Sequence, residues 1–321
     1  MKKICITQLG RIGDMILLTP AIRAIDEHFS EAGIDVIAGR HNASVIANNP
    51  RINRVITYDK SPVRLPRTLA AIRREKYDYY IDPKDHHSTE SALIARIVRA
   101  AMNIGFNPDG RRNFDTPIPG ESDNRGLHIV ARHFRALEPL GIASPDPLPR
   151  PELFEDADSK EYVNKFAVEI GAERLVVVNI SASQPKKMWP AAKWIEFLKS
   201  VDRRDAAWAL SFAPPEAEIA REIGAESNIY IFRSRSMNDV ISLVARSALV
   251  VTPDTAIVHV AAAFDRPLVA MFAGLSEFNR KFYPQSSRKE LAMAATGAPG
   301  IRDIEVNELI RAYENLAGEG L

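Results

Sequence analysis

The sequence predicts an α/β protein made of two units, each with a doubly wound parallel sheet. Short apolar segments rich in β-branched residues alternate with stretches whose apolar residues recur at helical spacing, the pattern of parallel strands joined by helices. A proline-rich stretch interrupts this alternation, which then starts again at Leu175. With 321 residues the chain exceeds the size at which a single core keeps growing. We therefore expect two domains, at residues 1–150 and 151–321.

In the first half, the predicted strands are separated by predicted helices. The first strand leads through a glycine turn into a helix that continues to Phe29, with Leu18, Ile22 and Ile25 on one apolar face. The predicted strands of this half are residues 4–7, 34–38, 54–58, 77–81 and 102–105. The later helical stretches are residues 43–48, 67–75, 89–101 and 128–140.

Residues 141–157 break the pattern, because prolines recur at 145, 147, 149 and 151. Such a stiff, extended stretch is typical of a linker. After it we expect strands at residues 175–180, 207–212, 229–232, 248–251 and 268–272, with helices at 159–169 and 306–316. A further helix after the first of these strands would carry Trp194, Phe197, Leu198 and Val201 on one face. The two halves repeat one layout, so we expect two similar units facing each other across a hinge.

Composition excludes several classes of protein. There are 42 Lys plus Arg against 41 Asp plus Glu, so no strong net charge favours nucleic acid as a partner. The one cysteine, Cys5, lies in the first apolar segment without a partner for a disulfide, which fits packing in a reducing compartment. No stretch resembles a signal peptide or has the roughly 18 apolar residues of a membrane-spanning helix. We expect a cytoplasmic protein, and peripheral contact with a membrane surface stays open.

The segment 251–263 predicts an anion site. An apolar strand is expected to close at Pro253, and Asp254 or Thr255 can cap the small-residue helix that follows. A helix start at the carboxyl end of a parallel strand presents free N–H groups and the positive end of the helix dipole, which favours phosphate. His259 falls one turn into this helix, where a structural histidine is the competing interpretation.

The turn Gly10-Arg11-Ile12-Gly13-Asp14 follows the first strand. It approaches the dinucleotide-binding fingerprint but lacks a glycine at the position of Gln8, which disfavours an NAD or FAD site. Asp14 has two interpretations. A carboxylate here could act as a general base, or it could be the N-cap residue of the following helix.

Two polar segments follow strands of the second half. Residues 181–190 place Lys186 and Lys187 in a hydroxyl-rich loop that can hold a diphosphate, although solvated surface lysines would look the same. Trp189 in this loop is expected to anchor packing. Glu216 or Glu218, after a strand, could accept ribose hydroxyls or could simply favour a helix dipole.

The segment Asp82-Pro83-Lys84-Asp85-His86-His87-Ser88 raises the question of a metal site. Its spacing matches no standard zinc signature, so we expect no metal and assign the segment to an acceptor-facing loop. Neither a G-x-S-x-G elbow nor a P-loop occurs in the sequence, which leaves hydrolase and NTPase interpretations unsupported.

Together these segments resemble the motifs of the bacterial lipopolysaccharide heptosyltransferases, a glycosyltransferase family with two facing Rossmann-like domains (GT-B architecture). The resemblance covers nearly the whole chain and keeps the order of the motifs. It rests on Gly13-Asp14, Thr19-Pro20, Asn49-Pro50-Arg51-Ile52, residues 77–82, Ile104-Gly105, Lys187-Met188-Trp189-Pro190, and Asp254-Thr255 with His259. One residue departs from it, because Ala256 stands where the family commonly has glycine.

The resemblance implies an inverting, metal-independent transfer of heptose from ADP-heptose to a saccharide or lipid-linked glycan of the lipopolysaccharide core. It implies Asp14 as the general base, Lys187 as a phosphate ligand and Glu216 as a partner of the nucleoside. Asp254, Thr255 and His259 would line the donor phosphate and sugar, beside Ala256. It also leaves open a peripheral contact of the protein with the cytoplasmic face of the inner membrane.

The acceptor itself is not identified by the sequence. Basic loops of the first half could meet a phosphorylated or acidic glycan, and solvated surface charge is the alternative. The candidates are Arg11, Lys60, Arg64, His86 and His87. Other functions also stay open: a transferase of the same fold that uses another nucleotide sugar or a protein or capsule acceptor, and a non-catalytic nucleotide-binding regulator.

Overall fold

The computed structural model describes residues 1–274 and 280–318. The chain forms two compact units, Met1–Phe154 and Glu155–Leu321. Residues just before this boundary are tied to the first unit through Glu152. Its carboxylate accepts hydrogen bonds from Arg51 at 2.9 Å and Arg23 at 3.3 Å, and its backbone N–H donates to the Thr19 hydroxyl at 2.9 Å.

The first unit contains one six-stranded sheet. Its strands are β1 (Lys3–Gln8), β2 (Gly33–Gly39), β3 (Arg54–Tyr58), β4 (Lys76–Ile81), β5 (Arg99–Gly105) and β6 (Thr116–Pro117). Its helices are α1 (Ile12–His28), α2 (Leu65–Arg74), α3 (Thr89–Ile97) and α4 (Ile129–Arg135). The strand order is β3-β2-β1-β4-β5-β6 and every pairing is parallel. The order reverses between β1 and β4, and ligands of open α/β sheets bind at such a reversal, outside the carboxyl ends of the strands.

The second unit repeats this topology. Its strands are β7 (Leu175–Asn179), β8 (Ala207–Ser211), β9 (Tyr230–Phe232), β10 (Leu249–Pro253), β11 (Leu268–Phe272) and β12 (Lys289–Met293). Its helices are α5 (Ala157–Glu169), α6 (Ala191–Ser200), α7 (Ala217–Ser227), α8 (Met237–Arg246), α9 (Ala256–Ala263) and α10 (Val306–Gly318). The order β12-β11-β10-β7-β8-β9 is again fully parallel and reverses between β7 and β10.

Burial explains why these segments form strands. All five residues of β7 are buried, as are all five of β10 and β11, which is expected where helices cover both faces of a parallel sheet. Beside β7, the side chains of Trp194 and Phe197 from α6 are fully buried in the core of the second unit. Burial of side chains of this size contributes roughly 1.5–3 kcal/mol each, so the core fixes the strands whose ends carry the polar residues.

The predicted fold class is confirmed, but several predicted boundaries are wrong. The helix expected over residues 89–101 ends at Ile97, and residues 99–101 belong to β5. The helix expected over 128–140 ends at Arg135 and is followed by a single 3-10 turn, Glu138–Leu140. The strand expected over residues 248–251 spans Leu249–Pro253, and Pro253 closes it as expected. β6, β12 and α8 lie where the sequence predicted no element.

No helix in the described part of the chain is long and apolar enough to cross a bilayer.

Candidate functional site

Three neighbouring strands of the second unit, β10, β7 and β8, end beside one another at the reversal of strand order. Lys187 ends the 3-10 turn Pro185–Lys187 after β7, and Glu216 ends the turn Pro214–Glu216 after β8. Asp254 and Thr255 follow β10 directly. The sheet therefore brings to one edge four candidates that are up to 68 residues apart in the sequence, since Lys187 and Thr255 differ by that number.

Lys187 and Asp254 form an ion pair. The ammonium donates to Oδ2 of the carboxylate, and the side chains are only 15% and 10% exposed. The backbone of Asp254 is fixed as well, because its N–H donates to the carbonyl of Met271 in β11 at 2.9 Å. The pair fixes the Lys187 ammonium at the strand ends, beside the start of α9.

Thr255 is the N-cap of α9, and its hydroxyl accepts from the N–H of Ile257 at 3.3 Å. This hydroxyl lies 3.3 Å from that of the buried Thr252, which in turn accepts from the Asn179 side-chain amide at 2.9 Å. A chain of hydrogen bonds thus joins the end of β7 to the start of α9. Asn179 and Thr252 were not predicted as site residues. A polar residue at or next to the end of an apolar strand is the signal that would identify both.

Ala256 is the first residue of α9, and its φ does not lie in the left-handed region. The glycine that the resemblance places here is therefore not needed for the backbone conformation of this chain. His259 is the fourth residue of α9 and is 4% exposed, with its ring 6.4 Å from that of Phe282. α9 therefore presents Ala256 at its start and holds His259 in the protein interior.

Glu216 is tied to the loop after β7 through Ser181. The Ser181 hydroxyl donates to Oε2 of Glu216 at 2.8 Å and accepts from the N–H of Ala213 at 2.7 Å. Glu218 is different: its side chain is 82% exposed and accepts from Arg221 at 2.7 Å. Of the two glutamates that the sequence left open, Glu216 is the one connected to the other candidates.

The loop that carries Lys187 is held by hydrogen bonds to the segment after β12. The indole N–H of Trp189 donates to the carbonyl of Ile304 at 3.0 Å, and the N–H of Ile301 donates to the carbonyl of Lys186 at 3.0 Å. A Cβ built on Gly300 would lie 2.1 Å from that Lys186 carbonyl oxygen. Only glycine allows this approach, so the segment after β12 sets the position of the lysine loop.

In the first unit, Asp14 is the third residue of α1, and its Oδ2 accepts from the N–H of Arg11 at 2.8 Å. Asn42, fully buried, donates to the carbonyls of Gln8 and Gly10 at 3.1 and 2.9 Å and so fixes the turn. Asp14 thus caps the start of α1 without being the N-cap residue. The N-cap interpretation is wrong, because Arg11 is the N-cap of α1. Asp14 is half-buried at the carboxyl end of β1, a position compatible with the general-base interpretation.

The loop after β4 holds a buried polar network that sequence reasoning did not find. Asp85 accepts from the Arg132 guanidinium at 2.9 Å and from the Asn124 amide at 3.2 Å, and all three residues are at most 3% exposed. Asp82 is also buried, and burial raises the pKa of its carboxyl against the opposing effects of Ser91, Lys84 and His86. The network fixes the conformation of the loop that bears His86 and His87.

The five acceptor candidates lie in loops that follow β1, β3 and β4, at the carboxyl edge of the first sheet. Several of them have acidic or basic neighbours. Lys60 pairs with Glu90, which raises the pKa of the lysine, and Arg64 lies 3.3 Å from Asp59. His86 lies 3.2 Å from Asp85, and His87 lies 3.3 Å from Arg111. Arg11 is exposed. Within residues 1–274 and 280–318, no group of three or more His, Cys, Asp or Glu side chains is arranged to hold a metal ion.

Comparison with known proteins agrees with this arrangement. Lipopolysaccharide heptosyltransferase 3 of Escherichia coli K12 is 26% identical over 287 residues, which cover 81% of this chain and 79% of that protein. A glycosyl transferase family 9 structure from Veillonella parvula DSM 2008 superposes with a TM-score of 0.87 at 20% identity, covering 99% of this chain and 98% of that one. E. coli heptosyltransferase WaaC, solved with ADP, superposes with a TM-score of 0.79 at 17% identity, covering 98% and 100%.

The two structural similarities establish the fold, which is of the GT-B type found in heptosyltransferases. The family itself is established by sequence. The model of glycosyltransferase family 9 (heptosyltransferase) matches residues 66–298, well over half of the chain. The match spans β4 to β12 and includes Lys187, Glu216 and the start of α9. The chain therefore belongs to glycosyltransferase family 9 and is a glycosyltransferase.

Proposed function

We propose that this protein transfers heptose from ADP-heptose to a hydroxyl of a lipopolysaccharide core saccharide, with inversion at the anomeric carbon and without a metal ion. The observation that carries the proposal is the cluster of Lys187, Glu216 and the start of α9 on the ends of three adjacent strands. The names of the sequence relatives, which are lipopolysaccharide heptosyltransferases, and the ADP in the WaaC structure support this choice of donor and acceptor.

The second unit supplies the donor chemistry in this proposal. As the bond between the anomeric carbon and the diphosphate breaks, negative charge develops on the leaving ADP. The Lys187 ammonium and the N–H groups at the start of α9 stabilise this charge, which is the task that a divalent cation performs in other enzymes. Glu216 accepts hydrogen bonds from the ribose. Asp254 and His259 line the sugar and phosphate beside Ala256.

The first unit supplies the general base. Asp14 takes the proton of the acceptor hydroxyl while that oxygen forms its bond to the anomeric carbon and ADP leaves. The N–H of Arg11 donates to Oδ2 and so orients the carboxylate, which leaves Oδ1 to receive the proton. Arg11, Lys60, Arg64, His86 and His87 would bind a phosphorylated or acidic part of the acceptor, which can be lipid-linked and presented at a membrane surface.

The test uses Asp14→Asn, because an amide oxygen can still accept from the N–H of Arg11 but cannot act as a base. General-base catalysis contributes about 10²- to 10⁴-fold, so we expect the transfer rate to fall by that factor. Affinity for ADP and the melting temperature should stay close to those of the wild type. Transfer is measured as ADP release in the presence of a lipopolysaccharide core acceptor, and affinity by calorimetry.

A wild-type rate in Asp14→Asn would eliminate Asp14 as the base. Assays with UDP- and GDP-sugars and with protein or capsule acceptors distinguish a transferase of other specificity. A non-catalytic regulator would bind ADP without transfer to any acceptor. Ala256, which stands where the family commonly has glycine, is compatible with the proposed catalytic site because its backbone has an ordinary helical conformation.

A further inference from the structure

We propose that Ser181 is a positioning residue that orients the Glu216 carboxylate. Its other oxygen, Oε1, to which no described residue donates, then accepts a hydrogen bond from the ribose of the donor nucleotide. The proposal rests on the function proposed above and assigns a determinant of its selectivity for ribonucleotides. The sequence analysis gave Ser181 no role of its own. Its contacts in the structure link the end of β7 to the turn after β8.

The direction of the hydrogen bonds around Ser181 follows from the number of protons available. A serine hydroxyl has one proton to donate and lone pairs that accept. The N–H of Ala213 can only donate, so at 2.7 Å the hydroxyl oxygen must be its acceptor. The single hydroxyl proton is then directed to Oε2 of Glu216, 2.8 Å away. Glu216 therefore accepts at Oε2.

The backbone of Ser181 is also fixed. Its N–H donates to Oδ1 of Asn179 at 3.3 Å, and its carbonyl accepts from the same side-chain amide at 3.0 Å. Asn179 also donates to Thr252, so the position of Ser181 is coupled to the end of β10. The hydroxyl that holds Glu216 is therefore itself held by the ends of two strands.

Glu216 comes from an equally restricted turn. Pro214 and Pro215 fix φ in the two preceding residues, and α7 begins at the next one. With the backbone fixed and Oε2 engaged, the carboxylate loses most of its rotational freedom before a ligand arrives. Such preorganisation increases affinity because less conformational entropy is lost on binding. Ribose presents two neighbouring hydroxyl donors, and a half-buried carboxylate with one oxygen left over is a suitable acceptor for them.

The competing interpretation is that Ser181 only connects two loops. A connecting residue would affect every nucleotide equally, whereas a residue that orients Glu216 should affect only nucleotides that have ribose hydroxyls. The probes are therefore ADP and 2′,3′-dideoxy-ADP as competitive inhibitors of transfer from ADP-heptose. The inhibition ratio is the inhibition constant of 2′,3′-dideoxy-ADP divided by that of ADP. It reports the ribose contact alone and is measured in the full-length protein.

The variants are Ser181→Ala, which removes the donor, and Ser181→Cys, which keeps the size but donates only weakly. Ser181→Thr restores a hydroxyl. Glu218→Gln is the matched control, because Glu218 is exposed and pairs with Arg221. We expect Ser181→Ala to raise KM for ADP-heptose about tenfold with kcat within about twofold, since the ribose contact is the same in the ground and transition states.

The inhibition ratio should fall about tenfold in Ser181→Ala and also fall in Ser181→Cys, while Ser181→Thr and Glu218→Gln keep the wild-type ratio. An unchanged ratio in Ser181→Ala overturns the proposal, whether both inhibitors bind as tightly as before or both lose affinity equally. If the alanine variant does not fold, an unchanged ratio in the cysteine variant overturns it instead. Failure of the wild type itself to transfer heptose or bind ADP would count against the proposed function and not against the role of Ser181.

Discussion

At the scale of single residues, the Lys187–Asp254 pair couples stability to function. Both side chains are largely buried, so each charge needs its partner. In the proposed reaction the same lysine must also neutralise a diphosphate. A substitution of Lys187 therefore has two effects, and only a combination of variants separates them.

We expect Lys187→Met to lower the free energy of unfolding by about 1–3 kcal/mol, because it leaves the Asp254 carboxylate buried without its partner. It should also raise KM for ADP-heptose at least about tenfold through the lost charge on the diphosphate. The double variant Lys187→Met with Asp254→Asn should recover most of the stability without recovering KM. Denaturant unfolding and steady-state kinetics measure the two effects.

Recovery of KM in the double variant would contradict a direct contact between Lys187 and the donor. It would mean that the lysine acts by keeping Asp254 in place.

The sequence identified most single residues of the candidate site but not their connections. Lys187, Glu216, Asp254 and Thr255 were each recognisable as polar residues after predicted strands. Ser181 was visible only as part of a hydroxyl-rich loop, because its significance depends on Ala213 and Glu216, more than 30 residues away. Hydrogen bonds of this kind are set by tertiary structure, which local pattern does not contain.

At the scale of elements, the same limit explains the wrong boundaries. Residues 99–101, Arg-Ala-Ala, favour a helix by propensity but form β5, where the backbone pairs with β4 in the register Lys76↔Arg99 and Tyr77↔Ala100. β12, Lys-Glu-Leu-Ala-Met, also consists largely of good helix formers, yet it pairs with β11 over all five residues. In both cases pairing with an existing sheet outweighed intrinsic preference.

Pro253 closes β10 as expected, although the strand continues two residues beyond its predicted end at Val251. The pairing of β10 with β7 ends at Val251↔Val178, whereas the N–H of Asp254 still donates to Met271 of β11. In a parallel ladder successive residues bond to opposite sides, so the missing N–H of Pro253 would point to the side where pairing has already ended. The proline therefore fits at the end of the strand without the loss of a ladder hydrogen bond.

The segment after β12 provides a prediction at this scale. Gly300→Ala would place a Cβ 2.1 Å from the carbonyl oxygen of Lys186, so the turn Pro185–Lys187 must move. We expect KM for ADP-heptose to rise several-fold, together with a loss of about 1–3 kcal/mol in stability, typical of overpacking. Gly318→Ala in α10 is the control, because no atom of residues 1–274 and 280–318 lies within 4 Å of its added Cβ. Equal KM values in the two variants would show that this segment does not set the position of Lys187.

In the molecule as a whole, the carboxyl ends and the amino ends of the strands have different roles. The carboxyl ends of the strands carry all the candidates for substrate contact in both units. The amino ends of the first sheet carry a buried network instead, in which Asp35 accepts from Arg54 at 2.6 Å, from Tyr77 at 2.8 Å and from Asn53 at 2.8 Å. Asp35 is 4% exposed, and these donors satisfy both of its oxygens. Because these hydrogen bonds connect β2, β3 and β4, we expect the network to stabilise the fold.

Substitutions at the amino ends of the strands should therefore change stability and leave catalysis unchanged. Tyr77→Phe keeps the buried ring in the core but removes the hydroxyl that donates to Asp35, so the first unit should lose about 1–2 kcal/mol of stability. Because the change lies at the amino end of β4, kcat and KM for ADP-heptose should stay within about twofold of the wild type. Denaturant unfolding and transfer kinetics on the same preparation test both expectations. A drop in kcat/KM of more than fivefold, at a temperature where the variant is fully folded, would show that catalysis depends on the amino edge of the sheet as well.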